Sequence, residues 1–423
     1  MTRDIKPVTR AATPRRDFTD AERQRRFPFE LVTALVGMSP TFVRRVIGRG
    51  GDLSLEDVQL LLDQDAYAET FVPRSKIIEY LLNRREVTEP QIDLNQVHQI
   101  IQGNALELIG CLPDHSIQCV VTSTPYWGMR LYDTHFEVAW ADGEVCAFGN
   151  EQTPEAFVRH TTELLYVLKP KMELDGSVWW NLMDTYNTRT QIRENAAETL
   201  QAMQGLDARG WHDHAARRYS AGHSFLEDGE QCMIPSRVAE RASRIGYLLK
   251  SQIFWKKDVS MPETVRTRVT REAEHILHLT LQRSPYFDKG AFRTLPQRLG
   301  GRNPLKESDK ITDIWCLPTA MGQDGHGAQF PLELPGRCIG LTSEPGDLIL
   351  DPFVGSGSTS VAALQLDRLS LGFDISGEYV DIARTRLEQT RVQHAIAPLM
   401  ERPVQPHPHA EGTEQQQQPQ LLF

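Results

Sequence analysis

The chain has 423 residues, with 46 Lys and Arg against 56 Asp and Glu, for a formal net charge of −10. That length accommodates one large catalytic domain, a smaller appendage and a sizeable core, and the acidic balance excludes indiscriminate nucleic-acid binding as the main activity. No apolar run approaches the ~20 residues that cross a bilayer, so no membrane partner is expected. The N-terminus MTRDIKPVTRAATPRRDF has no apolar stretch of the secretory kind, which leaves a cytoplasmic location as the expectation. The six cysteines (Cys111, Cys119, Cys146, Cys232, Cys316 and Cys338) form no C-x-x-C pair and none follows a proline. Zinc-ribbon, disulfide and Pro-Cys thiolate readings therefore fall away.

Residues 1–16 read as a disordered basic tail. The first 50 residues hold eleven Lys or Arg and five acids, so a basic end on an acidic protein is available to a phosphate backbone. Residues 17–92 read as a helical N-terminal domain. FPFELVTALVGM has apolar residues at helical spacing. SPTFVRRVIGR opens with Ser39 as N-cap and Pro40 at the first helical position, and LSLEDVQLLLDQD and SKIIEYLLNRR follow. This unit is a small DNA-binding module or a packing and dimerisation element.

From residue 93 to 392, strands alternate with helices. The strand candidates are QCVVTS (118–123), SVWWNL (177–182), KSQIFWK (250–256), EHILHLTL (274–281), DLILD (347–351) and LSLGFDI (369–375). Helical stretches such as PEAFVRHTTELLYVLKP and SRVAERASRIGYLLK lie between. The pattern predicts an α/β fold with a doubly wound, mostly parallel sheet. Residues 393–423, rich in Gln, Pro and His, read as a disordered tail in which His407 and His409 fix no metal geometry.

Two motifs carry chemistry. In DLILDPFVGSGSTSVAALQL a strand ends at Asp351, a turn holds Gly355 and Gly357, and a helix begins near Ser358. The glycines let a ligand approach the backbone. No lysine follows them, so a phosphate loop is excluded. A second strand, LSLGFD, ends in Asp374, 23 residues after Asp351, a spacing that suits ribose hydroxyls. Together they read as a nucleoside pocket without a phosphate cradle. In CVVTSTPYWGMR a strand ends in Ser123-Thr124-Pro125-Tyr126-Trp127. Pro125 keeps Thr124 extended, so the tip presents a hydroxyl, backbone carbonyls and an aromatic face, the set that suits a flipped base.

DPFVGSGST and TSTPYWG resemble the cofactor loop and catalytic motif of β-class S-adenosylmethionine-dependent DNA amino-methyltransferases, in the β-class order with the catalytic motif first. IQGNALELIGCLPDHSI, LKPKMELDGSVWWNLMD, MIPSRVAERASRIGYLLKSQIFWKK, REAEHILHLTLQRSPYF and GAQFPLELPGRCIGLTSEPGDLILDPF resemble further family segments. The likeness covers roughly residues 97–188 and 231–390. It implies a Rossmann-like methyltransferase fold with S-adenosyl-L-methionine as cofactor. It further implies that Asp351, Pro352, Phe353, Gly355, Ser356 and Gly357 line the methionine and ribose portions, that Asp374 holds ribose hydroxyls, and that Phe330 and Pro331 border the pocket. Asn104 stands where the family usually has an acid near the adenine; an amide still donates and accepts there.

Family members with Asp or Asn first in the tetrapeptide methylate adenine N6, and those with Ser first methylate cytosine N4. Ser123-Thr124-Pro125-Tyr126 therefore favours cytosine, with Thr124 replacing an expected proline. The implied mechanism holds the amino group on Ser123 Oγ and a carbonyl of residues 123–125, stacks the base on Tyr126, and transfers the methyl in line without metal or covalent intermediate. The expected partner is duplex DNA with a flipped target base. A cognate restriction endonuclease acting on the same site and a homodimer are left open. The alternatives are an adenine-N6 enzyme on the same fold, an RNA substrate and an inactive DNA-binding regulator.

Two segments are expected to read the target. Residues 189–230 form an insertion with Arg209, His212, His214, Arg217, Arg218 and His223, in which His212 and His214 lack a partner at ligand spacing. Residues 288–325 carry Arg293, Arg298, Arg302 and Lys306, which would reach phosphates or guanine edges.

Overall fold

The computed structural model describes residues 17–84, 92–94, 98–127, 137–187, 190–192, 217–219, 225–227, 229–258, 266–319 and 330–400; of 190–192, 217–219 and 395–400 it describes the backbone alone. The tails 1–16 and 401–423, His212, His214, most of the 189–230 insertion and residues 320–329 lie outside the described residues.

The N-terminal helices are α1 (Asp20–Gln24), α2 (Phe29–Val36), α3 (Pro40–Ile47), α4 (Leu55–Leu62) and α5 (Ile77–Asn83). Ser39 caps α3 by accepting from Phe42 N, with Pro40 in the first turn, as the sequence predicts. Ser54 and Asp57 form a capping box on α4.

The central sheet has eight strands. They are β1 (Gln99–Gln102), β2 (Ile117–Ser123), β5 (Met172–Leu182), β8 (Leu248–Lys257), β9 (Ala273–Thr280), β10 (Ile314–Leu317), β11 (Leu348–Asp351) and β12 (Leu369–Asp374), in the order β1-β12-β11-β2-β5-β9-β8-β10. Only β9 runs antiparallel to its neighbours, so the sheet is doubly wound and mostly parallel, as expected. Two small hairpins accompany it, β3 (Val138–Ala139) with β4 (Val145–Cys146), and β6 (Thr190–Ile192) with β7 (Arg217–Tyr219).

Helices α6 (Ala105–Gly110), α7 (Pro154–Leu168) and α8 (Ile234–Arg244) cover one face of the sheet; α10 (Glu333–Thr342), α11 (Ser358–Gln365) and α12 (Gly377–Met400) cover the other, with the short α9 (Ala291–Thr294) against α10. The N-terminal helices share one apolar cluster with α7 and α8. Phe71 stacks on Tyr166 at 4.8 Å, Arg241 donates to Thr70 O at 2.9 Å, and Arg244 to Gly37 O at 3.1 Å. These helices thus extend the core of the catalytic unit.

Three elements differ from the sequence reading. Strand β1, with only two apolar residues between glutamines, was not among the strand candidates; it pairs in parallel with β12, Gln99 opposite Leu371 and Gln102 opposite Asp374. Strand β10 lies inside the segment assigned to target reading and closes the sheet edge beside β8. Helix α12 continues to Met400, past the boundary at 393 where a tail was expected.

Candidate active site

Strands β11 and β2 are neighbours, with Ile349 opposite Cys119 and Leu350 opposite Val120. Parallel pairing therefore brings the ends of the two motifs together at the carboxyl edge of the sheet, where ligands of such folds bind. Asp351, 1% exposed, is the joint between them. Its Oδ1 accepts from Thr122 Oγ1 at 2.7 Å and from Phe353 N at 3.1 Å, and its Oδ2 accepts from Thr359 Oγ1 at 2.6 Å. Burial pushes this carboxyl up to about 6, and the three donors oppose the rise.

The glycine turn is shaped for close approach. Gly355 has φ +49° and a Cβ there would meet nothing within 4 Å, so the space above it is open. Gly357 has φ +87° and packs on Ala383. Gly355 N donates to Asp374 Oδ2 at 2.9 Å and Ser376 N to Asp374 Oδ1 at 2.9 Å. Burial raises the Asp374 carboxyl, and these N–H groups hold it down. Arg386 clamps Ser356 through its carbonyl and hydroxyl, at 2.6 and 2.8 Å. Gly103 N donates to Asp374 O at 2.9 Å, which sets Asn104, the N-cap of α6, beside the same edge. Pro352 is buried, and Phe353 stacks on Phe148 at 5.2 Å. Phe330 is buried in the cluster on the α10 face with Phe292, Trp315 and Leu334.

At the tip of β2 a second network forms. Asn181, at the end of β5, donates through Nδ2 to Ser123 Oγ at 3.2 Å, Tyr126 Oη at 2.8 Å and Glu274 Oε2 at 2.6 Å. Tyr126 Oη also donates to Glu274 Oε2 and lies 3.2 Å from Ser123 Oγ. Lys257 Nζ pairs with the other Glu274 oxygen. Glu274 is 4% exposed and Asn181 1%. Asn181 Oδ1 in this network, and Thr124 Oγ1 next along the chain from Ser123, are buried without a hydrogen-bond partner among the described residues. Unsatisfied buried polar atoms are costly, and at a strand tip they are sites for a bound group. Trp127, fully buried, donates its indole N–H to Glu151 O at 2.9 Å, which fixes the chain just past Tyr126.

Asn181, Glu274 and Lys257 were not among the predicted site residues. The available signal was an acid at the start of the strand EHILHLTL and a pair of lysines at the end of the strand IFWKK. The basic residues assigned to target reading mostly have other partners. Arg302 pairs with Asp309 at 2.9 Å, Lys306 with Asp258 at 2.7 Å, and Arg298 donates to Gln365 at 3.4 Å. Arg293 is exposed.

The fold is of the doubly wound class that binds a nucleoside ligand at the carboxyl edge of its sheet, and here the glycine turn after β11 and the polar tip of β2 stand on adjacent strands. The family model for DNA methylase matches residues 117–385. Type II methyltransferase M.Cfr9I of Citrobacter freundii is 31% identical over 294 residues, covering 68% of this chain and 87% of the relative. Type II methyltransferase M.SmaI of Serratia marcescens is 27% identical over 300 residues, covering 69% and 91%. A solved PvuII DNA methyltransferase (cytosine-N4-specific) is 18% identical, covers 71% of this chain and 93% of that one, and gives a TM-score of 0.47. The chain belongs to the DNA methylase family of N6 and N4 amino-methyltransferases, whose methyl donor is S-adenosylmethionine. The open turn at Gly355, the part-buried Asp374 beside it and the absence of a following lysine fit that donor. No helix among the described residues is long and apolar enough to cross a membrane.

Proposed function

We propose that the protein transfers a methyl group to the exocyclic N4 amino group of a cytosine flipped out of duplex DNA, by direct in-line attack. The observation that carries this reading is Ser123. Its hydroxyl stands at the carboxyl end of β2, one strand from Asp351, and accepts from Asn181 Nδ2 at 3.2 Å. The choice of cytosine rests on serine as the first residue of the tetrapeptide.

The amino nitrogen of a base is a weak nucleophile because its lone pair is conjugated with the ring. Acceptors that hold its two N–H bonds out of the ring plane release that lone pair. Ser123 Oγ, a backbone carbonyl of residues 123–125 and the unpartnered Asn181 Oδ1 supply them. Bound S-adenosylmethionine supplies an electrophilic sulfonium methyl. Asp351, Gly355 and Asp374 hold the donor side of the site, so that alignment is set by two adjacent strands. After transfer the nitrogen carries an extra proton. It passes to Ser123 Oγ, the serine proton to Tyr126 Oη, and the tyrosine proton to Glu274, whose negative charge Lys257 balances beforehand. The Tyr126 ring is left to stack on the base.

The relatives named above are type II methyltransferases. On that likeness the companion activity is a restriction endonuclease of the same site. The test is to incubate the full chain with labelled S-adenosylmethionine and duplex DNA, digest, and identify the modified nucleoside by mass spectrometry. N4-methylcytosine is expected. N6-methyladenine would overturn the base assignment, and no transfer would overturn the enzymatic reading. Ser123→Ala should lower turnover by about 100-fold or more, the loss typical of a removed transition-state contact, with cofactor affinity unchanged.

A further inference from the structure

Beside the catalytic tip, on the α7 face of the sheet, a mixed cluster of side chains serves no step of the reaction described above. The β3–β4 hairpin supplies Asp142 and Cys146, the loop before α7 supplies Glu151, and α7 supplies His160. His160 and Glu151 are both 0% exposed. The imidazole stacks flat on Trp140, centroids 4.2 Å apart and planes 6° apart. Its Nδ1 lies 3.2 Å from Glu151 Oε1, and its Nε2 lies 3.2 Å from Asp142 Oδ1. One ligand atom each from Cys146, Glu151 and His160 lie within 4.8 Å of one another.

We propose that Cys146, Glu151 and His160 form a binding site for a divalent cation of the zinc class, which locks the β3–β4 hairpin and the Glu151 loop behind the catalytic motif. Three observations carry this. The donor set of one sulfur, one imidazole nitrogen and one carboxylate is the mixture that borderline-soft cations prefer. The remaining imidazole nitrogen already faces a carboxylate, Asp142, which Arg159 Nε holds at 2.7 Å; a metal-bound histidine is oriented by that arrangement. Glu151 Oε2 is fully buried and has no hydrogen-bond partner among the described residues, while Oε1 already accepts from Gly149 N at 3.0 Å. A buried carboxylate oxygen left bare calls for a cation or a donor that the protein does not provide.

Ligands bind such a cation in their deprotonated forms, so the Cys146 thiol gives up its proton as the ion takes its place beside the thiolate and Glu151. Cys146 is only partly buried, which gives the ion a way in and leaves room for a water as fourth ligand. Because Glu151 O accepts from the Trp127 indole and Phe148 stacks on Phe353, an ion here would stiffen both sides of the active site at once.

The test uses the full chain, stripped of metal with a chelator and titrated with Co²⁺ as a spectroscopic probe. We expect saturation at one ion per chain, a near-ultraviolet thiolate-to-cobalt band, visible bands of a four-coordinate ion, displacement by Zn²⁺, and release of the thiol proton as the ion binds at a pH below the thiol range. Cys146→Ser should abolish the thiolate band, weaken binding at least 10-fold, and remove the rise in melting temperature that Zn²⁺ gives the wild type. The idea is overturned if the wild type shows no saturable cobalt spectrum, or if Cys146→Ser, shown folded by circular dichroism, binds as the wild type does.

Discussion

Thr122 Oγ1 donates to Asp351 Oδ1 across 2.7 Å, with both groups buried. The residue before Ser123 is thereby tied to the residue that ends β11. Under the proposed function, this bond couples the donor side of the site to the strand tip offered to the base. Thr122→Val removes this tie while keeping the shape of the side chain. The variant should lose both cofactor affinity and turnover, each by about 10-fold, the scale of one buried hydrogen bond. Ser123→Ala, one residue away, should lose turnover alone. Equilibrium binding of S-adenosylmethionine and single-turnover rates separate the two; equal cofactor affinity in Thr122→Val and wild type would refute the coupling.

Asn181 is the hub of the network at the tip of β2, since its Nδ2 reaches Ser123, Tyr126 and Glu274. Glu274→Gln keeps the size of the side chain, removes the proton acceptor and leaves Lys257 without its counter-charge. Turnover should fall by about 100-fold, a typical general-base loss, with DNA and cofactor affinity nearly unchanged. Asn181→Asp should be as severe for a different reason, because a second carboxylate 2.6 Å from Glu274 forces one of the two to take up a proton. A Glu274→Gln enzyme with wild-type turnover would remove Glu274 from the proton path.

The two motifs were legible because their signals are local. Gly355, Gly357 and Pro125 constrain the backbone wherever they occur, and Asp351 and Asp374 end recognisable apolar strands. The Asn181–Glu274–Lys257 network was not legible. Its members come from three strands, and they meet only because β9 runs antiparallel between β5 and β8, which sets Asn181 opposite Ile276 and Trp255 opposite Glu274. A sequence reading has no access to that register. The same holds for β10: IWCL has the composition of a strand but sits among loop residues, and its place follows from pairing Trp315 with Trp255.

Arg337 is the least exposed charge on the α10 face. It is 0% exposed and forms a bidentate pair with Glu307 at 2.7 and 2.9 Å. It also lies 5.0 Å from the centre of the Phe292 ring and 5.1 Å from that of Trp315. The pair fastens the 288–317 segment to the body of the sheet. Removing one partner leaves the other charge buried alone, so Arg337→Met should cost about 3–5 kcal/mol of stability. Adding Glu307→Gln should restore a large part of it. Urea unfolding of the two single variants and the double variant measures this; additive losses would show that the two charges do not act as a pair.

Asp351 gives the fold a pH signature with a definite sign. Burial raises its carboxyl from the ordinary 3.8 to about 6. The folded state therefore holds a proton more tightly than the unfolded chain. Its contribution is fully present below about pH 3.8 and is lost as pH rises through 6. Between pH 4.5 and 7 the wild type should lose roughly 2 kcal/mol relative to Asp351→Asn, which cannot titrate. Thr359→Val should widen this window. It removes the 2.6 Å donor to Oδ2, so the ionised form is less well held and the carboxyl rises further. Urea unfolding at half-unit pH intervals gives the three curves. A wild-type curve parallel to that of Asp351→Asn would mean that the Thr122, Thr359 and Phe353 donors fully offset burial, and that the carboxylate is charged wherever the protein is folded.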